Sequence, residues 1–318
     1  MQRLINRGRS FLSRPAVAGQ RTSVAELLLI TWFGLLASFN VGATIGASAL
    51  GWDALIYHSA ARALLAGGDP WGPVGTFSTF AGPPPSLLPY LPTAWLPDGA
   101  VVTFWTAVAA LSAVYVLQRL RLPAWWLLFP PVTVAILAGS SALPVMALIV
   151  RGGAIADGAA IAARVYTAVP LVILGRWRGL LVAAAIVLAT APMLDWSRFF
   201  MELPNISSTL ARQTSGGQSA AAVPWLIPIA ALCLVLLGRR RAAWLFVPAL
   251  WPYTQGYYAV IALPVIAEAP LVAIALAVNA VPGLVVPGLI AQVAVERLGL
   301  WRPRPAEGPS ASEALRAR

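Results

Sequence analysis

No lysine occurs anywhere in this chain, and it holds one cysteine and one histidine in 318 residues. Only 10% of its residues are charged, against about 25% in an ordinary soluble domain, so a soluble globular protein is excluded. Cys233 lies inside an apolar run, which leaves no disulfide frame and no cysteine-based metal cluster. His58 stands alone, so a histidine metal site is equally unsupported. Walker and Rossmann fingerprints and a Ser-His-Asp arrangement are missing, which disfavours direct use of a nucleotide-activated substrate. The apolar runs show none of the ~10-residue alternation that marks an outer-membrane barrel, and no short repeat or soluble domain is evident.

What remains is hydrocarbon-compatible: 59% of the chain is hydrophobic. Backbone polar groups in lipid must pair internally, so the sequence predicts an all-α polytopic membrane protein. Using the ~20-residue span criterion loosely, about ten to eleven transmembrane helices are expected. They fall near 24–47, 83–96, 101–117, 124–138, 142–156, 160–175, 179–194, 221–238, 242–254, 257–272 and 275–295. The stretch from Leu27 reads as an uncleaved first span. Residues 1–22 read as a basic cytoplasmic arm, 23–296 as the transmembrane domain, and 297–318 as a disordered Arg/Pro-rich tail. The basic residues are all arginine, with a net charge of +11. They cluster at the N-terminus, at Arg176-Trp177-Arg178 and at Arg239–Arg241, a positive-inside pattern that also suits anionic lipids. It gives no reason to expect nucleic acid. The outer loop 48–82, the polar loop 195–219 and the segment 251–258 should then share the outer face. The Ala, Pro, Gly and Arg load suggests a GC-rich bacterial source, hence the bacterial plasma membrane with an outward-facing site.

With eleven acids in all, each can be weighed. Glu268 lies deep in an apolar run and suits an internal polar contact. Asp53 opens the outer loop, where Ala54–Ala66 reads as a helix capped by Asp53 and terminated by Gly67-Gly68. This helix is expected to lie along the membrane surface. Capping and catalysis are compatible for Asp53. His58 and Arg62, four residues apart, share a face and suit either phosphate binding or anchoring at headgroup level. Tyr253, Gln255, Tyr257 and Tyr258 suit either a sugar site or the interfacial aromatic belt. Gln218 and Ser219 suit either acceptor contact or a solvated loop.

The run Asp53, Tyr57-His58-Ser59-Ala60-Ala61-Arg62, Gly67-Gly68-Asp69-Pro70-Trp71, followed by Pro83-Pro84-Pro85, resembles the first outer loop of glycosyltransferase family 87. Arg164 to Pro170 with Arg176-Trp177-Arg178 resembles that family's basic, proline and Arg-rich segment, and Gln213–Ser219 resembles its Asn-Gln-Ser loop. The likeness is densest over 50–97 and thins beyond 220. Gly82 stands where the family has an aromatic, Gly139-Ser140-Ser141-Ala142 where it has Gly-Gln-x-Asn, and Arg164 where it has lysine.

The resemblance implies a GT-C fold and transfer of a sugar, mannose foremost, from a polyprenyl-phosphate donor to a lipid-linked or envelope glycan. No cofactor or metal is implied. Such transfer needs a carboxylate as general base and cations for the departing phosphate. Asp53 is assigned the first role. His58, Arg62, Arg198 and Arg212 are assigned to the phosphate, arginine's fork suiting it well, and Tyr57, Gln218, Gln255 and Tyr257 to sugar or acceptor. A non-enzymatic polytopic protein, either a transporter or a degenerate binder of lipid-linked sugar, is the alternative.

Overall fold

A computed structural model describes residues 23–72, 80–214, 217–252, 254–278 and 281–300. The N-terminal arm, most of the tail and Tyr253 lie outside them. Most of the described residues are helical. Helix α1 (Val24–Gly46) starts at a reciprocal cap: Ser23 Oγ accepts from the Glu26 amide at 3.3 Å while the Glu26 carboxylate accepts from the Ser23 amide at 2.8 Å. Such a box holds two of the first-turn donors that a helix leaves unpaired. Only Phe33 and Ala37 of α1 are buried, while Leu35, Phe39 and Ile45 are each about two-thirds exposed or more. A helix apolar on all sides and covered on one is compatible with lipid around the rest.

Helix α2 (Trp52–Leu65) follows, and then two 3-10 turns, Pro84–Leu87 and Leu91–Thr93. These occupy the segment expected as a second span; prolines at 83, 84, 85, 89 and 92 leave too few amide donors for a continuous α-helix there. Helix α3 (Asp98–Leu120) is long and unbroken. Helices α4 (Pro130–Leu137) and α5 (Ala142–Arg151) meet at a bend of 116°. The chain turns at Gly139, whose φ of +61° favours glycine and whose missing Cβ lets Ala54 approach: a Cβ there would lie 3.0 Å from that of Ala54.

Beyond the bend come α6 (Ala154–Ala163), α7 (Ala168–Ile173), α8 (Arg178–Thr190) and α9 (Trp196–Thr214). Then follow α10 (Ile227–Leu237), α11 (Arg239–Leu250), α12 (Leu263–Ile266), α13 (Pro270–Leu276) and α14 (Val285–Arg297). Among the described residues two helices, α1 and α3, are long and apolar enough to cross a membrane, or three spans if α4 and α5 count as one. The remaining apolar stretches are shorter pieces interrupted by glycine, proline and 3-10 turns. Segment 195–219, expected as a polar loop, contains α9. Its apolar residues Phe199, Leu203, Ile206 and Leu210 recur at helical spacing between polar ones, and Pro204 is accommodated within it.

The main core gathers α3 to α7 and α10 to α14, with Trp244, Phe129, Met146 and Leu143 among its largest fully buried members. A second cluster forms around α2 from Tyr57, Trp71, Phe80, Tyr90, Trp105 and Ile206. The candidate site sits between the two.

Candidate active site

Asp53 does not cap α2. The cap residue is Gly51, in the left-handed region at φ 71°, and Asp53 is the second residue of the helix. The first-turn amides find partners elsewhere: Gly51 N–H donates to the Leu137 carbonyl at 2.8 Å, and those of Asp53 and Ala54 donate to Ala138 at 3.1 and 3.2 Å. The positive end of α2 therefore abuts the negative end of α4, an arrangement both dipoles favour. Freed from capping, the Asp53 side chain points inward and is 4% exposed.

Its partner is Arg164, 111 positions away, at the C-terminal end of α6. Arg164 Nη2 donates to Asp53 Oδ2 at 3.3 Å, and Tyr257 donates its hydroxyl to Oδ1 at 3.3 Å. The guanidinium is held from the other side by the α4–α5 bend. Its Nη2 and Nε both donate to Ser141 Oγ, at 2.8 and 3.1 Å, and Nη2 reaches Ser140 Oγ at 3.5 Å. Three tyrosine rings surround it, with Cζ lying 5.5 Å from the centroid of Tyr57, 5.6 Å from Tyr258 and 5.9 Å from Tyr257. Such rings offer a cation their negative faces. Tyr166 packs on Tyr258, and Trp52 on Tyr257.

Burial pushes the Asp53 carboxyl above its ordinary range; Arg164, Ser140 and Tyr257 pull the other way without cancelling the effect. Burial likewise raises the Tyr57 hydroxyl to about 12, so it stays a neutral donor.

The other expected residues are placed as follows. Tyr57, one turn after Asp53, and Tyr257 lie in the site. His58 is on a different face, 1% exposed, with Nε2 3.5 Å from the Asp98 carboxylate at the start of α3. Burial lowers its pKa; Asp98 opposes that and Arg62 adds to it. Arg62 is exposed. The helix thus buries Asp53, Ala54, Ile56, Tyr57, His58, Ala60 and Ala61, packing more deeply than a surface-lying helix would. Arg198 turns to the loop after α2, donating to the Gly68 carbonyl at 3.1 Å. Arg212 lies in the last turn of α9, and its side chain falls outside the described residues. Gln218 is buried and donates to the carbonyls of Leu276, at 3.3 Å, and Val278. These bonds tie the segment after α9 to the end of α13. Gln255 is half-buried, two residues before Tyr257, and its buried Oε1 has no partner among the described residues.

The three segments expected on one face do meet. Tyr257 joins segment 251–258 to α2, while Trp71 packs on Phe199 of α9 with centroids 5.5 Å apart. Ser219 donates to the Trp251 carbonyl at 2.8 Å. Sequence reasoning missed Arg164 as the central cation. The signal was available: Arg164 is the one cation between Arg151 and Arg176, in an otherwise apolar run, and such residues usually face a functional interior. No family model, no curated protein and no solved structure matches this chain.

Proposed function

We propose that this chain is a multi-pass membrane glycosyltransferase of the GT-C type. It moves a sugar, mannose by its motif resemblance, from a polyprenyl-phosphate donor to a hydroxyl of a lipid-linked or envelope glycan. The observation that carries this reading is the buried Asp53–Arg164 pair, closed by Tyr257 and ringed by tyrosines.

In this reading Asp53 takes the proton of the acceptor hydroxyl as its oxygen attacks the anomeric carbon. The carbon–oxygen bond to the phosphate breaks with inversion. Negative charge leaves the carboxylate and accumulates on the departing phosphate, and the total is conserved. Arg164 is already paired with Asp53, so protonation of that carboxylate releases it for the phosphate when the charge arrives there. A raised Asp53 pKa brings the base closer to the operating pH. The bent and broken apolar helices complete ten or eleven crossings. The Arg clusters favour an N-terminus in the cytoplasm and a site on the outer face of the bacterial plasma membrane.

The test is Asp53→Asn in membranes supplied with radiolabelled polyprenyl-phosphate sugars. Transfer should fall by about 10²–10⁴-fold, and full retention overturns the assignment of the base. One observation favours a second reading, a non-enzymatic polytopic protein: the Asp53 carboxylate is already matched by Arg164 and Tyr257, as in a purely structural buried pair. Absence of transfer by the wild-type chain with every polyprenyl-phosphate sugar would favour that reading.

A further inference from the structure

Tyr90 carries a buried hydroxyl that finds no well-formed hydrogen bond among the described residues. The residue is fully buried between the two 3-10 turns that replace the expected second span. Its ring is clamped between Tyr57, at 4.7 Å and 27°, and Trp105, at 4.0 Å and 23°. Neither face is free, so the hydroxyl has a fixed direction. By distance and angle that hydroxyl makes no hydrogen bond among the described residues; the Ser141 hydroxyl is near enough to interact with it, and Asp53, Tyr57 and Arg164 contribute to the field around it. A phenylalanine would fill the same volume without the desolvation penalty of an orphaned hydroxyl, so the group calls for an explanation.

Donor counting supplies one. Ser141 Oγ already accepts twice from Arg164, which occupies both of its lone pairs. Asp53 Oδ2 accepts from Arg164 and Oδ1 from Tyr257. Both Asp53 oxygens thus already have a partner, and Arg164 Nη1 donates to the Tyr258 hydroxyl at 3.5 Å, which leaves the Tyr90 O–H and one Nη1 N–H of Arg164 as donors. A neighbourhood with surplus donors around one cation suits a ligand with several acceptor oxygens and negative charge.

We infer that Tyr90 donates its hydroxyl hydrogen bond to the phosphate of the lipid-linked donor, beside Arg164. This rests on the glycosyltransferase reading, and it names the group that contacts the phosphate as a neutral phenol held by an aromatic stack. His58, Arg62 and Arg198 are not required for that contact.

The experiment is direct binding of radiolabelled decaprenyl phosphate to the full chain in phosphatidylcholine nanodiscs. Wild type, Tyr90→Phe and Asp53→Asn are compared, with and without phosphatidylglycerol. The Phe variant keeps the ring stack and should be at least as thermally stable as wild type. The expected result is binding by wild type, about 10–100-fold weaker binding by Tyr90→Phe, as for a hydrogen bond to a charged group, and binding retained by Asp53→Asn. Equal binding by wild type and Tyr90→Phe overturns the role of Tyr90 and leaves the glycosyltransferase reading standing. Wild type that does not bind decaprenyl phosphate overturns both. Displacement by phosphatidylglycerol at equal concentration overturns the polyprenyl assignment in favour of a general lipid-phosphate site.

Discussion

Two groups of arginine–carboxylate pairs in this molecule are built differently. In one, Arg240 meets Glu268 at 2.7 Å, Arg241 meets Glu296, and Arg239 donates to the Ile173 carbonyl at 2.7 Å. The other is Asp53–Arg164. Helix α11 begins at the first group and, through Trp251, leads to Tyr257 at the second. Its twelve residues span about 18 Å. The Arg240–Glu268 side chains are 29% and 26% exposed, whereas those of Arg164 and Asp53 are 7% and 6%. A partly exposed pair forfeits little hydration and contributes little. A fully buried one must compensate a large desolvation penalty with further hydrogen bonds, and here serines and tyrosines provide them. Of these two groups, the more deeply buried pair stands where the chemistry is proposed, and the more exposed anchors stand at the arginine-rich end of α11.

Substitutions can break this contrast. The largest effect is expected for Arg164→Met, which strands a buried carboxylate: about 3–5 kcal/mol of stability should be lost, read by denaturation in detergent, and transfer should vanish. Arg164→Met combined with Asp53→Asn should recover much of that stability and none of the transfer. Next comes Gly51→Ala. It forces an L-residue to φ 71° and brings a Cβ within 2.6 Å of a Val102 methyl, at an expected cost of about 1–3 kcal/mol. Arg240→Met should cost about 1 kcal/mol or less and leave transfer at wild-type levels. A loss as large as that of Arg164→Met would erase the distinction between the two groups.

Two pH effects sharpen the comparison further. The folded pKa of His58 lies below the ordinary 6.5, so its contribution is fully present above that value and is lost as pH falls through the lowered one. His58→Gln should flatten this acid limb of stability in thermal melts across that range. Asp53 shifts the opposite way. Because its folded pKa is raised, the acid limb of transfer should sit above the ordinary aspartate value, and this limb should be absent from the residual activity of Asp53→Asn.

Parts of this arrangement are legible in the amino-acid sequence. Apolar composition predicts helices, and loop 48–82, segment 195–219 and segment 251–258, expected together, do come into contact. Glu268, picked out because an acid deep in an apolar run needs a partner, has one in Arg240. Other parts followed a local rule that tertiary contacts displaced. Asp53 fits the N-cap preference, but the helix begins before it, with Gly51 as the cap residue, and the Leu55 amide that an Asp53 cap would serve already donates to the Gly51 carbonyl. Likewise, Gln218 has the chemistry of a sugar ligand, yet backbone carbonyls at Leu276 and Val278 occupy it.

What the sequence determined by itself was helical class, an apolar build compatible with a membrane, and attention to Asp53, because hydrophobicity and local motif are written into consecutive residues. Only the tertiary structure decided what Asp53 faces. Its pairing with Arg164 joins residues 111 positions apart, through a bend at Gly139 and a helix end that no local pattern encodes. Burial, which gives that pair its electrostatic weight, is a property of everything packed around it.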